Sequence, residues 1–148
     1  MNLLLDTQVL IWSLAVDRRL KSTTRRVIED GSNRVWVSAA SAWEIEIKTA
    51  LGKLRVPDDL LTQMTAVKFE ELPVRIEHAL YLRRLPALHR DPFDRILIAR
   101  ALCERLTLVT TDAILHGSSL TPRIQTLLKP TVCLLLMTRC TRFGIVRR

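Results

Sequence analysis

No apolar run in this 148-residue chain approaches the ~20 residues needed to span a bilayer. The first residues, Met1-Asn2-Leu3-Leu4-Leu5-Asp6, carry no basic segment ahead of the apolar one and meet an acid at once. That pattern is not a secretory leader, so a cytoplasmic protein is expected. Cysteine is scarce. Cys103, Cys133 and Cys140 are odd in number and lack CxxC spacing, which disfavours a disulfide framework or a zinc site and suits free thiols in a reducing compartment. There is no internal repeat and no low-complexity segment. A 48% apolar share and this length fit one domain with a real core.

Acids are missing from one region only. The net charge of +8 comes from 23 basic and 15 acidic residues, and after Asp112 there are six basic residues and no acid. The first 112 residues therefore hold 17 basic against 15 acidic residues, a net of +2. The strong basicity belongs to the tail and says little about what the body of the chain binds.

Short apolar strands alternate with helical stretches, which predicts an α/β fold with helices flanking a parallel sheet. Leu3-Leu4-Leu5 reads as a strand buried on both faces, followed by Asp6 and by Thr7 as a helix cap. Residues 14–30 read as helix with a polar break. Residues 34–38 alternate like a strand. Residues 39–51 are helical, ending at Gly52, with Glu44 and Lys48 one turn apart on one face. Ser41 and Glu44 also match a capping box, in which the carboxylate would only satisfy backbone N–H groups. Residues 57–64 and 75–85 read as helices and residues 69–74 as a short strand or link. His78, in the second of these helices, is read as a partly exposed structural histidine. Asp91-Pro92 is a helix start with proline at the first position, and the run from Ile96 to Leu102 is apolar nearly all round. An acid at the start of so buried a helix, Asp94, belongs at a cleft wall, because burying a carboxylate uncompensated is expensive. Residues 106–110 form a strand ending in Thr111-Asp112, repeating the strand–threonine–acid pattern of Asp6. Residues 122–128 read as a short helix and 132–137 as a last strand, with a basic, frayed end.

In such a sheet Asp6 and Asp112 share one edge, Asp94 starts a helix leading into the Asp112 strand, and Glu44 follows the second strand. All four can reach one crevice. Four carboxylates together repel unless a cation neutralises them. Hard oxygen donors without Cys or His select Mg²⁺ or Mn²⁺ and suit phosphoryl transfer. Taken singly, Asp6 and Glu44 fit plain structural roles better.

Four blocks carry a resemblance: Leu5-Asp6-Thr7-Gln8-Val9-Leu10-Ile11-Trp12; Val37-Ser38-Ala39-Ala40-Ser41-Ala42-Trp43-Glu44-Ile45-Glu46-Ile47-Lys48; Leu88-His89-Arg90-Asp91-Pro92-Phe93-Asp94-Arg95-Ile96-Leu97-Ile98-Ala99; and Leu108-Val109-Thr110-Thr111-Asp112. In order, over residues 2–112, the chain resembles the PIN-domain ribonucleases, most of all the VapC-like toxins of type II toxin–antitoxin pairs. The resemblance implies a three-layer α/β/α domain and Mg²⁺- or Mn²⁺-dependent endonuclease cleavage of RNA. It also implies a homodimer and inhibition by a cognate antitoxin protein. Asp6, Glu44, Asp94 and Asp112 fall on the family's acids as catalytic residues and metal ligands, with Asp91 and Thr7 in support. Asp94 is preferred to Asp91 because the family's small residue seven positions on is Ala101 when counted from Asp94. Lys48, Arg90 and Arg95 are candidates for substrate phosphates, with surface solubility or pairing to the acids as the competing role.

Gln8 stands where many relatives have histidine. Relatives also close with one short strand soon after the fourth acid, whereas 36 residues follow Asp112 here. A nuclease core over residues 1–116 and an atypical basic tail over 117–148, adding one strand, are expected. The tail fits an RNA-binding extension or an altered reading frame, the second being favoured. Two rival functions remain. One is a non-catalytic module that binds RNA or a partner. The other, a phosphatase of haloacid dehalogenase type, would want Asp-x-Asp where the chain has Asp6-Thr7-Gln8.

Overall fold

The computed structural model describes residues 1–56, 59–85, 91–111 and 124–125. Five parallel strands form one sheet in the order β3-β2-β1-β4-β5. They are β1 (Asn2–Leu5), β2 (Arg34–Ser38), β3 (Glu70–Leu72), β4 (Thr107–Val109) and β5 (Ile124–Gln125). Helices α1 (Thr7–Leu14) and α2 (Ser22–Glu29) separate β1 from β2, and α3 (Ala39–Ala50) and α4 (Leu60–Ala66) separate β2 from β3. A short helix α5 (Ile76–Tyr81), a 3-10 turn (Leu82–Arg84) and α6 (Pro92–Cys103) lead from β3 to β4.

Strand alternation divides the core between the two sheet faces. Leu3, Leu5, Val35, Val37 and Val109 pack with Val9 and Leu10 of α1, Ile28 of α2, Ile45 of α3 and Met64 of α4. Leu4 and Leu108 point the other way, into Leu97, Ile98 and Ala101 of α6, with Trp36, Leu72 and Tyr81 against them. Period-two alternation in a sheet with helices on both faces produces these two cores. The α/β/α sandwich expected from the sequence is thus present.

Register fixes where the strands end. Leu5 lies beside Val37 on one side and Val109 on the other. β1, β2 and β4 therefore bring Asp6, Ser38 and Thr110 to one edge. The chain steps outward from β1 through β2 to β3, then returns to the other side of β1 with β4. The carboxyl ends beside that reversal are where open α/β sheets place their sites.

Several local expectations change. Asp6, not Thr7, caps α1, accepting from the Gln8 amide at 3.3 Å. Ser38, not Ser41, caps α3, accepting from the Ala40 amide at 3.0 Å. The helix thus begins one turn earlier than a Ser41 capping box requires, and Glu44 is released from that role. The helix expected over residues 14–30 is shorter: α1 ends at Leu14, residues 15–21 form turns, and α2 covers Ser22–Glu29. Ile124 and Gln125, expected within a short helix, pair as a strand with Leu108 and Val109. The open edge of β4 offers unpaired backbone groups there, and pairing overrides a weak local helical pattern. His78 is fully buried. Its Nδ1 accepts from the Arg75 amide at 3.0 Å and its Nε2 faces Glu104 Oε1 at 3.2 Å, so the proton sits on Nε2 and the ring is structural. The strand expected over 132–137 lies outside the described residues.

Arg100 is the least anticipated feature. It interrupts the apolar run of α6 and is fully buried. Its guanidinium donates to the Ser38 hydroxyl and, at 2.8 Å, to the Pro73 carbonyl. Burial pushes its pKa down to about 10, since desolvation penalises the charged form. Truncating one partner of so buried a contact is costly. Arg100→Ala is expected to lower unfolding stability by about 3 kcal/mol, through lost packing and the loss of its bonds to Ser38 and Pro73. Urea denaturation measures this, and a loss below ~1 kcal/mol would show that the guanidinium is dispensable.

Four helices end in a left-handed residue, yet only one of these is glycine. Val16, Lys68 and Arg105 have φ of 51°, 60° and 56°, beside Gly52 at 68°. After α1, the Asp17 amide donates to Trp12 O and the Val16 amide to Ser13 O, the paired bonds of a Schellman ending. A β-branched residue is strained in that conformation. Val16 is 70% exposed, so little packing is lost on its removal. Val16→Gly should therefore raise stability by about 0.5–1 kcal/mol, and an unchanged or lower thermal midpoint would contradict the strain.

Candidate active site

The sheet edge gathers acids because each strand end feeds a helix that starts there. Asp6 leaves β1 with its amide donating to Val109 O at 3.0 Å. Its Oδ2 accepts from the Thr110 hydroxyl at 2.6 Å. The two outgoing chains, from β1 and β4, are thus tied together at the acid.

Thr7, one residue on, is buried and donates to Glu44 Oε2 at 2.6 Å. The other carboxylate oxygen of Glu44, Oε1, accepts from Lys48 Nζ. Glu44 is 8% exposed and Lys48 45%, so the pair sits in the wall of the edge with its cation towards water. The Glu44 carboxylate holds the Lys48 ammonium above the ordinary lysine range. Partial burial opposes this, and the charges of Asp91 and Asp94 add to it.

The start of α6 lies against α3. Asp91 caps the helix, accepting from the Phe93 amide at 2.8 Å, with Pro92 following it. Asp94 lies in the first turn and is half-buried. Phe93 meets the ring of Trp43 edge-on, with centroids 5.4 Å apart. Trp43 precedes Glu44, so α3 and α6 touch where their acids lie. Asp91 is occupied as a cap, which separates its role from that of Asp94.

Asp6, Thr7, Glu44, Lys48, Asp91 and Asp94 therefore form one continuous neighbourhood. The fourth expected acid, Asp112, lies outside the described residues, two positions beyond Thr110. Of the three cations expected at substrate phosphates, Lys48 is on Glu44. Arg95 points backward, donating to Leu82 O at 2.9 Å and Leu85 O at 3.3 Å, where it holds the preceding turn. Arg90 lies outside the described residues.

A second cluster of potential ligands, Glu77, His78 and Glu104, is at the far end of α6, about 15 Å from Asp94 by helical rise. Both ring nitrogens of His78 are already engaged. Thr110 is the polar contact that sequence reasoning passed over. A threonine directly after a buried strand, level with an acid on the neighbouring strand, was its available signal.

A crossover parallel sheet with its carboxylates collected at one edge defines a class. The chain belongs to the PIN domain family, whose sequence model matches residues 3–116. Its fold is similar to that of a chain in the crystal structure of VapBC2 from Rickettsia felis bound to a DNA fragment from their promoter. The TM-score is 0.56 at 15% identity, covering 76% of this chain and 89% of that one. No curated protein matches this chain significantly.

The Thr7 bond is a sensitive point of the arrangement. Thr7→Val removes the only hydroxyl on Glu44 Oε2 seen among the described residues and leaves a buried carboxylate oxygen short of a donor. Stability should fall by about 1–3 kcal/mol, while Thr7→Ser should retain most of it. Equal urea midpoints for the two variants would refute the assignment.

Proposed function

We infer that this chain is a divalent-metal-dependent endoribonuclease, the toxin of a toxin–antitoxin pair. The observation that carries the reading is the convergence of Asp6, Glu44 and Asp94 on one sheet edge through Thr110, Thr7, Lys48 and the Trp43–Phe93 contact. Membership of the PIN domain family supports it, as does the likeness to a toxin–antitoxin complex.

The donor set fits a hard cation. Asp6, Glu44 and Asp94 offer carboxylate oxygen only, with no sulfur or imidazole, which selects Mg²⁺ or Mn²⁺. Asp6 and Asp94 are the direct ligands in this proposal, and Glu44 and Asp112 complete the set directly or through water. Bound there, the cation supplies positive charge for the phosphate and lowers the pKa of the attacking water. Thr110 and Thr7 fix the orientation of Asp6 and Glu44 by donating to one oxygen of each. Water forms the new O–P bond in line as the bond to the 3′ oxygen breaks, leaving a 5′-phosphate and a 3′-hydroxyl. Arg90, beside Asp91 in sequence, is the cation proposed for substrate phosphate, because Lys48 and Arg95 are engaged elsewhere.

The antitoxin is a protein partner, and a second copy of the chain is the other. Trp43, Ile47 and Leu51, spaced by one turn along α3, are exposed, as a surface covered on assembly would be. An apolar groove between α1 and α4, lined by Ile11, Leu14, Val56, Leu60 and Val67, suits an apolar helix of the antitoxin. No helix among the described residues is long and apolar enough to cross a membrane, and the cytoplasm is the proposed location.

Asp6→Asn should reduce RNA cleavage by at least ~100-fold, in the range seen when one electrostatic contributor is removed, with an unchanged circular dichroism spectrum. Chelation should do the same to the parent chain, and added Mn²⁺ should restore it. Cleavage that survives both treatments would overturn the mechanism. A folded parent chain that binds RNA without cutting it in Mn²⁺ would point to a non-catalytic module.

A further inference from the structure

We propose that Trp43 is a substrate-positioning residue: its open indole takes the face of one unpaired nucleobase beside the acidic edge. This rests on the nuclease reading above and extends it to how the RNA strand is held.

The chain has three tryptophans, and two of them are already covered. Trp12 and Trp36 are partly buried against the two cores. Each also lies under an arginine, Arg19 at 5.0 Å and Arg34 at 4.9 Å from the ring centroid. Trp43 is 64% exposed, and it is the one aromatic among the exposed large apolar side chains of the described residues. An indole left in water forgoes a large apolar gain, so a ring held open suits a ligand that covers it. The ring is held by half-buried Phe93, which meets it edge-on at an interplanar angle of 79°. One such neighbour covers at most one face of the indole. Both rings directly precede an acid, Trp43 before Glu44 and Phe93 before Asp94, and consecutive Cα atoms lie ~3.8 Å apart. The platform therefore stands at the acids and not elsewhere on the surface. Every base has a π face to offer, but in a duplex both faces are already stacked. The indole thus selects an unpaired nucleotide at or next to the bond cut, whatever its base. Ile47 and Leu51 lie one and two turns further along, so the end of the stripe nearest the acids belongs to substrate and the remainder to assembly.

The test mixes the full chain in Mn²⁺ with a short single-stranded RNA carrying 2-aminopurine at each position in turn. Stopped-flow fluorescence reads binding ahead of cleavage, because stacking quenches this base. The parent chain should quench it at a position beside the cleaved bond. Trp43→Leu, which keeps apolar bulk without a π face, should abolish that quench and raise KM by about 10-fold or more. Trp43→Phe should keep the quench and most of the affinity. The side chain is exposed, so both variants are expected to fold, as circular dichroism would verify. A parent chain that cuts RNA with no position quenched, or a Trp43→Leu chain with the parent's quench and KM, overturns the role of Trp43 and leaves the nuclease reading standing. So does a changed oligomeric mass of Trp43→Leu by light scattering, since the indole is then a protein contact. A parent chain that neither binds nor cuts RNA overturns both readings.

Discussion

The level ending of three adjacent strands is the constraint on which the rest depends. Leu5 lies between Val37 and Val109, so the residues that follow emerge at one height. A slip of one residue in either pairing would turn the inner face of that strand outward. It would also carry Thr110 or Ser38 away from Asp6. The register is held because Leu3 and Leu5 belong to one core and Leu4 to the other. Packing on two faces at once therefore positions an acid that packs on neither.

From that edge, contacts run in pairs rather than as a loose cluster. Thr110 meets Asp6, Thr7 meets one oxygen of Glu44, and Lys48 meets the other. Asp6 and Glu44 have donors of their own before any ligand arrives, which limits the repulsion that gathered acids would otherwise impose on folding. The start of α6 is held by a different force, the edge-on contact of Phe93 with Trp43 and the apolar face that follows it. Charge and packing thus converge on the site from different elements.

Much of this was legible because it is local. A buried strand followed by an acid and a threonine, or an Asp-Pro helix start, is written in a few neighbouring residues, and Asp6, Asp91 and Asp94 stand where those patterns put them. What was not legible depends on distant partners. Ser41 and Glu44 have the spacing of a capping box, but the turn at Ser38 begins the helix first. Val16, Lys68 and Arg105 end helices without the glycine that marks Gly52, since hydrogen bonding in the last turn, not residue type, sets the stop. Ile124 and Gln125 become strand only because β4 has an edge to offer. Buried His78 likewise has its Nε2 partner in Glu104, 26 residues away.

The Arg100 contact has a consequence for how the molecule opens. Ser38 accepts from both the Ala40 amide and the Arg100 guanidinium. One hydroxyl thus serves the first turn of α3 and the middle of α6. Displacing α6 would withdraw the guanidinium that helps to hold the capping hydroxyl of the helix that carries Glu44, which couples the two helices into one cooperative unit in hydrogen exchange. The amides at the start of α3 would then exchange at the pace of α6, slower than a helix end beside a cleft would exchange alone. The carboxylates on the two helices would be organised, or lost, together.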